Sequence, residues 1–309
     1  RWRLEYQPCV FLQRGKNIRQ DFSDGKIHRH GIAIQHDKQN IFCDAAVMSL
    51  FQKLSKHYPK IPGYRRFNPR RCQVFAVGSA KTGTHSLAAM FDANFRTRHE
   101  AEVNRQIALY ARKDEGRCED GEIEQWFIER SRRLWLECDV SHLHGYFAAE
   151  IARALPDAKF ILTLREPYSW LDSAFNQTLG RPLNHHWSAM RQQVYGPLPE
   201  IYPEQESILQ QHGLYPVNAL LNRWAERIEQ ITQSIPAERL LIVKTRELKQ
   251  SADRIADFCG IPRRLLSAEE GHQFRAAKKI GLLDGIDRDY IDGLIQQRCG
   301  VILAKYFST

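Results

Sequence analysis

The chain has 309 residues, of which 43% are hydrophobic and 26% are charged, a composition that excludes extensive disorder. Its formal net charge of +9 predicts an acidic partner such as a polyphosphorylated nucleotide, a nucleic acid, an anionic glycan or a membrane surface. The seven cysteines include no C-x-x-C pair, which argues against a zinc site or a disulfide framework and favours reduced thiols.

Membrane and targeting signals are not recognisable in the sequence. No apolar run approaches the roughly 18 to 20 residues that a membrane-spanning helix needs, and no signal peptide is evident. Together with the cysteine pattern, this predicts a cytoplasmic protein. The alternative is that a leader or membrane anchor has been removed ahead of Arg1.

The first 70 residues form a polar N-terminal extension. Short apolar runs within it predict short strands and a helix that pack on the main domain. The segment "HRHGIAIQHD" at 28–37 contains possible metal ligands, but no second ligand cluster accompanies it, so a solvated hairpin is the favoured interpretation and no metal is expected. A stretch rich in proline and arginine, "KIPGYRRFNPRRC", leads into a main domain at 71–309.

The main domain alternates short apolar runs with helical periods. Continuous apolar runs at 73–77, 133–138, 159–164 and 239–244 predict strands that are buried on both faces. Apolar stripes at 87–95 and 220–231 predict helices, and a helical tail at 286–307 closes the domain. This order predicts an α/β fold with three layers, in which helices cover both faces of a mostly parallel central sheet.

The segment "VFAVGSAKTGTHSLAAMF" at 74–91 joins the first strand to the first helix through a glycine-containing loop. Such a loop gathers backbone N–H groups around an anion. It is not an ATP-binding Walker loop, because Thr84 and His85 stand where that pattern requires lysine and then serine or threonine. The lysine lies earlier, at Lys81. The predicted anion-binding residues are Ser79, Ala80, Lys81, Thr82, Gly83, Thr84 and His85.

A second segment, "AKFILTLREPYSWLDSAFNQ" at 158–177, places Arg165 at the end of a strand and Pro167 at the start of a helix. Residues 167–173 of that helix would span about 9 Å. Arg165 and Ser173 are therefore predicted to contact one phosphate from two sides.

The two segments together resemble the sulfotransferases that use 3′-phosphoadenosine 5′-phosphosulfate (PAPS), in particular the carbohydrate, tyrosyl and bacterial types. The resemblance covers about residues 72 to 309 and implies a P-loop-NTPase-like fold. It implies that the loop with Lys81 holds the 5′-phosphosulfate and that Arg165 and Ser173 hold the 3′-phosphate, with no metal required. It also suggests Lys278 and Lys279 over the nucleotide, although a solvated basic helix is an equal alternative.

Transfer to a hydroxyl requires a base for the acceptor proton. The resemblance implies a glutamate after the first helix, and by position Glu100 is the first choice, with His99 and Glu102 as alternatives. A pairing of Glu100 with a neighbouring arginine is the structural alternative. Glu137, Asp139 and His142 follow in the segment "LECDVSHLHGY", and we expect them to line the acceptor pocket.

The predicted function is transfer of a sulfuryl group from PAPS to an acceptor hydroxyl, on a carbohydrate or glycoconjugate. One alternative is a P-loop kinase or NTPase. Another is a basic binding protein without catalytic activity on the same fold, which the interleaved basic and aromatic residues of "RWRLEY" and "GYRRF" would favour. No specific nucleic acid is expected as a partner, because no nucleic-acid-binding motif is present.

Overall fold

A computed structural model describes residues 64–180, 183–269 and 280–308. The predicted N-terminal extension lies almost wholly outside the described residues, and so do the segment 28–37 and the pair Lys278 and Lys279. The boundary near residue 70 therefore stays a prediction. The residues described in the following paragraphs belong to the compact unit Ala46–Thr309.

A five-stranded sheet with the strand order β2-β3-β1-β4-β5 forms the centre of the described chain. The strands are β1 (Val74–Ala76), β2 (Thr97–His99), β3 (Cys138–Val140), β4 (Lys159–Leu164) and β5 (Leu240–Lys244). Every pair is parallel, and Val74 of β1 stands in register with Cys138 of β3 and Lys159 of β4. Because the strands are parallel, all five carboxyl ends lie along one edge of the sheet.

Helices connect the strands and follow the last one. They are α1 (Tyr64–Phe67), α2 (Thr84–Asp92), α3 (Val103–Asp114), α4 (Glu122–Leu134), α5 (Ala148–Ala154), α6 (Pro167–Gly180), α7 (His185–Tyr195), α8 (Ser207–Gln211), α9 (Val217–Ser234), α10 (Ala252–Cys259) and α11 (Arg288–Tyr306). Short 3-10 helices lie at His142–Phe147, Glu204–Glu206, Ala237–Arg239, Thr245–Glu247, Arg263–Leu265 and Leu282–Gly285. Within the described ranges, no helix combines the length and the apolar character that crossing a membrane requires.

Alternation along the strands builds one apolar layer on each face of the sheet. Phe75 and Phe160 point to the face covered by α3 to α9 and α11, whereas Val74 and Ile161 point to the face covered by α2 and α10. Successive strand residues face opposite sides, so two separate cores follow from one sheet. This three-layer α/β architecture with a parallel sheet confirms the predicted fold class.

The predicted strand at 133–138 is wrong in most of its length. Helix α4 continues to Leu134, and Trp135 ends it in the left-handed region with a φ of 52°. Strand β3 begins only at Cys138. The apolar run is therefore divided between the half-buried end of a helix and the start of a strand, and periodicity alone does not separate the two in so short a segment.

Strand β2 was not predicted from the sequence. It has three residues, "TRH", and among the described strands it lies at the edge of the sheet and pairs with β3. A strand that is short, polar and paired on one side carries no apolar signal. Its position matters because it carries Glu100 at its carboxyl end.

Candidate functional site

Polar side chains collect at the carboxyl ends of the strands. The anion loop (residues 78–83) follows β1, Glu100 follows β2, His142 follows β3, Arg165 follows β4, and Lys244 ends β5. Open parallel sheets bind their ligands at this edge, where the strand order reverses. The reversal here falls at β1, so the anion loop has the acidic and histidine side chains on one side and Arg165 on the other.

The anion loop has a backbone suited to binding an anion. Lys81 and Gly83 adopt left-handed φ angles of 69° and 93°, and Thr84 begins helix α2 directly afterwards. The N–H groups of a helix's first turn lack acceptors within the helix, and a turn of this kind directs N–H groups to a common point. Gly78 is needed for a different reason, because a Cβ there would stand 2.0 Å from Thr163 Oγ1.

The Thr82 hydroxyl shapes the anion loop and does not face a ligand. Thr82 Oγ1 lies 2.6 Å from the Ser79 carbonyl oxygen and 2.7 Å from Thr163 Oγ1. Because a carbonyl oxygen only accepts, Thr82 donates to Ser79 and accepts the proton of Thr163. The side chain is also fully buried. The Thr82 side chain thus holds the backbone of the anion loop in place, and the binding of an anion by Thr82 stays a prediction.

A second group of side chains that were predicted to bind an anion lies between β4 and α6. Arg165 Nε donates to Ser169 Oγ at 2.9 Å, and Arg165 Nη1 donates to the Lys81 carbonyl oxygen at 3.2 Å. Ser173 lies one turn after Ser169 on the same face of α6. Burial lowers the pKa of Arg165, while nearby carboxylates raise it, and the guanidinium remains charged.

Glu166 takes part in the start of α6. Its carboxylate accepts the backbone N–H groups of Tyr168 at 3.0 Å and Ser169 at 2.8 Å, as acidic residues do at helix N-termini. The hydrogen-bond acceptors of Arg165 are instead a carbonyl and a hydroxyl, neither of which carries a formal charge. This arrangement suits a guanidinium that binds an anionic ligand.

Glu100 and His142 form a pair on the opposite side of the anion loop. Glu100 Oε1 lies 2.9 Å from His142 Nδ1, and the two side chains are 28% and 16% exposed. Burial raises the pKa of Glu100, but the hydrogen bond with His142 and the electrostatic effect of His142 and two further histidines lower it more. The net shift of the pKa is downward, so the Glu100 carboxyl is ionised at neutral pH. The Trp187 indole stacks on the His142 ring with centroids 5.1 Å apart.

The backbone of Glu100 is held in an unusual conformation. Its N–H donates to the Val140 carbonyl oxygen at 2.7 Å, which extends the pairing of β2 and β3 by one residue. Its φ of 54° lies in the left-handed region, which is uncommon for residues other than glycine. Such strain clusters at functional sites, and here it turns the chain immediately after β2.

His99 and Glu102, the alternatives to Glu100 as base, have other partners. His99 Nε2 lies 3.1 Å from Thr84 Oγ1, and its ring stacks on His85 with centroids 3.7 Å apart. Burial lowers the pKa of His99 to about 4, so it is neutral at pH 7. Glu102 forms a bidentate ion pair with Arg133, which favours a structural role between β2 and α4.

Glu137 and Asp139, expected to line an acceptor pocket, are buried in the protein. Glu137 precedes β3, at the end of the strand opposite the site, and accepts Arg71 Nε at 2.8 Å and the Arg96 backbone N–H at 2.9 Å. Asp139 forms a buried ion pair with Arg130. Burial raises the pKa of both carboxyls, but the arginines lower it below the ordinary value. Of the three predicted acceptor residues, His142 alone lies at the site.

Several residues at the site were missed by the sequence analysis: Ser169, Trp170 and Trp187. The Trp170 indole donates to the Ala80 carbonyl oxygen at 2.9 Å, and Thr245 Oγ1 donates to the Thr82 carbonyl oxygen at 2.7 Å. Ser169 has a signal in the sequence, because it lies four residues from both Arg165 and Ser173. Trp170 and Trp187 reach the site only through tertiary packing.

Metal ligands are not clustered in the described part of the chain. There, no group of three or more His, Cys, Asp or Glu side chains is placed to hold a metal ion. Lys278 and Lys279, suggested to lie over a nucleotide, fall outside the described ranges, and their role stays a prediction.

Comparison with known proteins identifies the family. A crystal structure of a sulfotransferase from Alicyclobacillus acidocaldarius is similar with a TM-score of 0.45 and 16% sequence identity, and the match covers 77% of this chain and 97% of that one. A search of curated proteins found no significant match. The sulfotransferase domain family matches residues 73–263, which contain the anion loop, the Glu100 and His142 pair and Arg165. Since this match covers more than half of the chain, the protein belongs to the sulfotransferase domain family.

Proposed function

We propose that the chain transfers the sulfuryl group of PAPS to an acceptor hydroxyl by in-line displacement. One observation carries the proposal: Arg165 lies beside the anion loop and donates to the Lys81 carbonyl oxygen at 3.2 Å. The Arg165 guanidinium thus stands directly against the backbone of the anion loop. A nucleotide with a phosphosulfate at the 5′ position and a phosphate at the 3′ position presents two separate anionic groups, whereas ATP presents one linear chain of phosphates.

The donor would bind with its two ends on different elements. The anion loop and the first turn of α2 bind the 5′-phosphosulfate, and Arg165 with Ser169 and Ser173 binds the 3′-phosphate. As the bond from sulfur to the phosphate oxygen breaks, negative charge develops on that oxygen. The Lys81 ammonium neutralises this charge, and stabilisation of developing charge is commonly the largest single contribution to catalysis.

The Glu100 and His142 pair would take up the acceptor proton. The acceptor oxygen attacks sulfur, the proton leaves that oxygen for the pair, and adenosine 3′,5′-bisphosphate (PAP) departs with the bonding electrons. A base must be unprotonated before it acts. The lowered pKa of Glu100, which follows from its contact with His142, meets this condition at neutral pH.

A carbohydrate or glycoconjugate is the proposed acceptor class. Its support is the acidic residue directly after β2, because this sequence resembles carbohydrate and tyrosyl sulfotransferases in that feature. The Trp187 indole beside His142 adds a flat, partly exposed surface next to the proposed base. A screen of sugar, tyrosyl and small phenolic acceptors with labelled PAPS tests the class, and label incorporated only into phenols would contradict it.

Calorimetry with PAP is the first test of the donor site. We expect micromolar binding without metal, and a loss of at least about tenfold in Arg165→Ala, because a charge-assisted contact to phosphate is worth more than about 1.5 kcal/mol. Arg153→Ala is the matched control, since Arg153 pairs with Glu124 on the surface, away from the strand carboxyl ends. Tighter binding of ATP with Mg²⁺ would indicate a kinase or NTPase instead.

A second test separates the base from a binding residue. Glu100→Gln and His142→Asn should lower turnover of labelled PAPS while PAP affinity stays within about twofold of the parent. Normal PAP binding without turnover of any acceptor in the parent chain would favour a binding protein without catalytic activity.

A further inference from the structure

The anion loop is held by side chains at each carbonyl group of residues 79–82. The Ser79 carbonyl oxygen accepts Thr82 Oγ1 at 2.6 Å. The Lys81 carbonyl oxygen accepts Arg165 Nη1 at 3.2 Å. Both donors come from residues already assigned to the loop or to the second anion-binding group.

Two further donors come from elsewhere in the fold. The Trp170 indole N–H, on α6, donates to the Ala80 carbonyl oxygen at 2.9 Å. The Thr245 hydroxyl, directly after β5, lies 2.7 Å from the Thr82 carbonyl oxygen and 2.9 Å from the Leu164 carbonyl oxygen. Its single proton is shared between these two acceptors, of which the Thr82 carbonyl is the closer. Thr245 therefore connects the anion loop to the end of β4, one residue before Arg165.

The direction of a carbonyl determines the direction of the next N–H. The peptide bonds of the described residues are trans, and in a planar trans peptide the C=O of one residue and the N–H of the next point in opposite directions. Trp170 holds the Ala80 carbonyl towards α6, so the Lys81 N–H points away from α6. Thr245 holds the Thr82 carbonyl towards β5, so the Gly83 N–H points away from β5.

Lys81 and Gly83 are also the two residues of the loop with left-handed φ angles, 69° and 93°. These conformations cost free energy for lysine and persist only where surrounding contacts impose them. The hydrogen bonds from Trp170 and Thr245 hold the peptide groups that directly precede Lys81 and Gly83. Burial places the Trp170 ring in the core with 6% of its surface exposed, so its indole N–H is a fixed donor.

We propose that Trp170 and Thr245 are positioning residues, which orient the Lys81 and Gly83 N–H groups towards the 5′-phosphosulfate. This inference rests on the proposed function, because it assumes a donor with separate 5′ and 3′ anionic groups. Neither side chain needs to touch the ligand. Because Trp170 and Thr245 would act through the N–H groups that bind the 5′-phosphosulfate, the loss of either contact should weaken the binding only of ligands that carry a 5′ group.

Two ligands and three variants test the inference. Thr245→Val removes the hydroxyl and keeps the shape of the side chain, whereas Thr245→Ser keeps the hydroxyl. Trp170→Phe removes the indole N–H and keeps an aromatic ring. Calorimetry measures the affinity of each protein for PAP and for adenosine 3′-phosphate, which lacks the 5′ group, and thermal unfolding checks the fold.

We expect Thr245→Val and Trp170→Phe to weaken PAP binding by roughly tenfold, because a peptide group that has lost its hydrogen bond must be oriented when the ligand binds, at a cost similar to that of one hydrogen bond. Thr245→Ser should stay within about twofold of the parent, and adenosine 3′-phosphate should bind all four proteins alike. Equal losses for both ligands, or unchanged PAP binding in Thr245→Val and Trp170→Phe, would overturn the inference. A parent chain that binds neither ligand would overturn the proposed function itself, and the inference with it.

Discussion

Replacement of Gly78 by alanine tests how tightly the anion loop is packed against the sheet. An alanine Cβ would stand 2.0 Å from Thr163 Oγ1, 2.8 Å from the Thr163 carbonyl oxygen and 2.8 Å from Thr82 Oγ1. Contacts shorter than 3.0 Å force atoms to move. The Thr163 carbonyl belongs to the backbone of β4, which is paired with β1 on one side and β5 on the other. It therefore cannot move without disturbing the hydrogen bonds of the sheet.

The expected cost has two parts. Overpacking a buried site costs about 1 to 3 kcal/mol. Displacing Thr163 also breaks its hydrogen bond to Thr82, which has a length of 2.7 Å and contributes about 0.5 to 1.5 kcal/mol. We therefore expect Gly78→Ala to lower the free energy of unfolding by about 2 to 4 kcal/mol and to weaken PAP binding.

Urea unfolding followed by tryptophan fluorescence measures the effect. Gly293→Ala is the matched control, because Gly293 is exposed within α11 and a Cβ there meets nothing within 4 Å; it should gain up to about 1 kcal/mol. In a Thr163→Ala background the Gly78→Ala change should cost less, since the 2.0 Å contact is gone while the carbonyl at 2.8 Å remains. A Gly78→Ala variant as stable as the parent would refute this reasoning.

Three further substitutions test the buried ion pair of Asp139, the proposed base Glu100 and the proposed role of Lys81. Asp139→Asn should lower the free energy of unfolding at pH 7 by about 3 kcal/mol. The buried Arg130 loses its closest carboxylate and keeps Glu102, whose Oε2 lies 3.6 Å from Arg130 Nε. The folded pKa of Asp139 lies below its ordinary value. The stabilisation by the Asp139 carboxylate is therefore present above about pH 4 and is lost as the pH falls through the folded pKa. If the difference in unfolding free energy between parent and variant stays constant down to pH 3, this reasoning is wrong. Glu100→Gln should lower kcat with labelled PAPS by a factor of about 10² to 10⁴. Undiminished turnover would mean that His142 alone accepts the acceptor proton. Lys81→Ala should lower kcat by about 10² to 10³ with an unchanged circular dichroism spectrum, and a loss confined to KM would assign Lys81 to binding only.

The sequence by itself determined the features that depend on neighbouring residues. A strand, a glycine-containing turn and a helix start are local, so the anion loop at 78–83 and Arg165 at the end of β4 were predicted in the places where the structure has them. Helix α9, with its stripe of apolar residues and its end before Pro236, was equally visible. Order along the chain also determined the parallel three-layer sheet, because alternating strands and helices allow few other arrangements.

Only the tertiary structure decided which carboxylates lie at the site and which form ion pairs with arginines. Glu100, Glu102, Glu137 and Asp139 have the same chemistry, yet the structure pairs Glu100 with a histidine at the site and surrounds the others with arginines. The contacts that make this distinction join elements far apart in the sequence. Thr245 likewise reaches the Thr82 carbonyl from 163 residues away, and no local pattern encodes such a contact, because its geometry exists only once the sheet has brought the strand ends together.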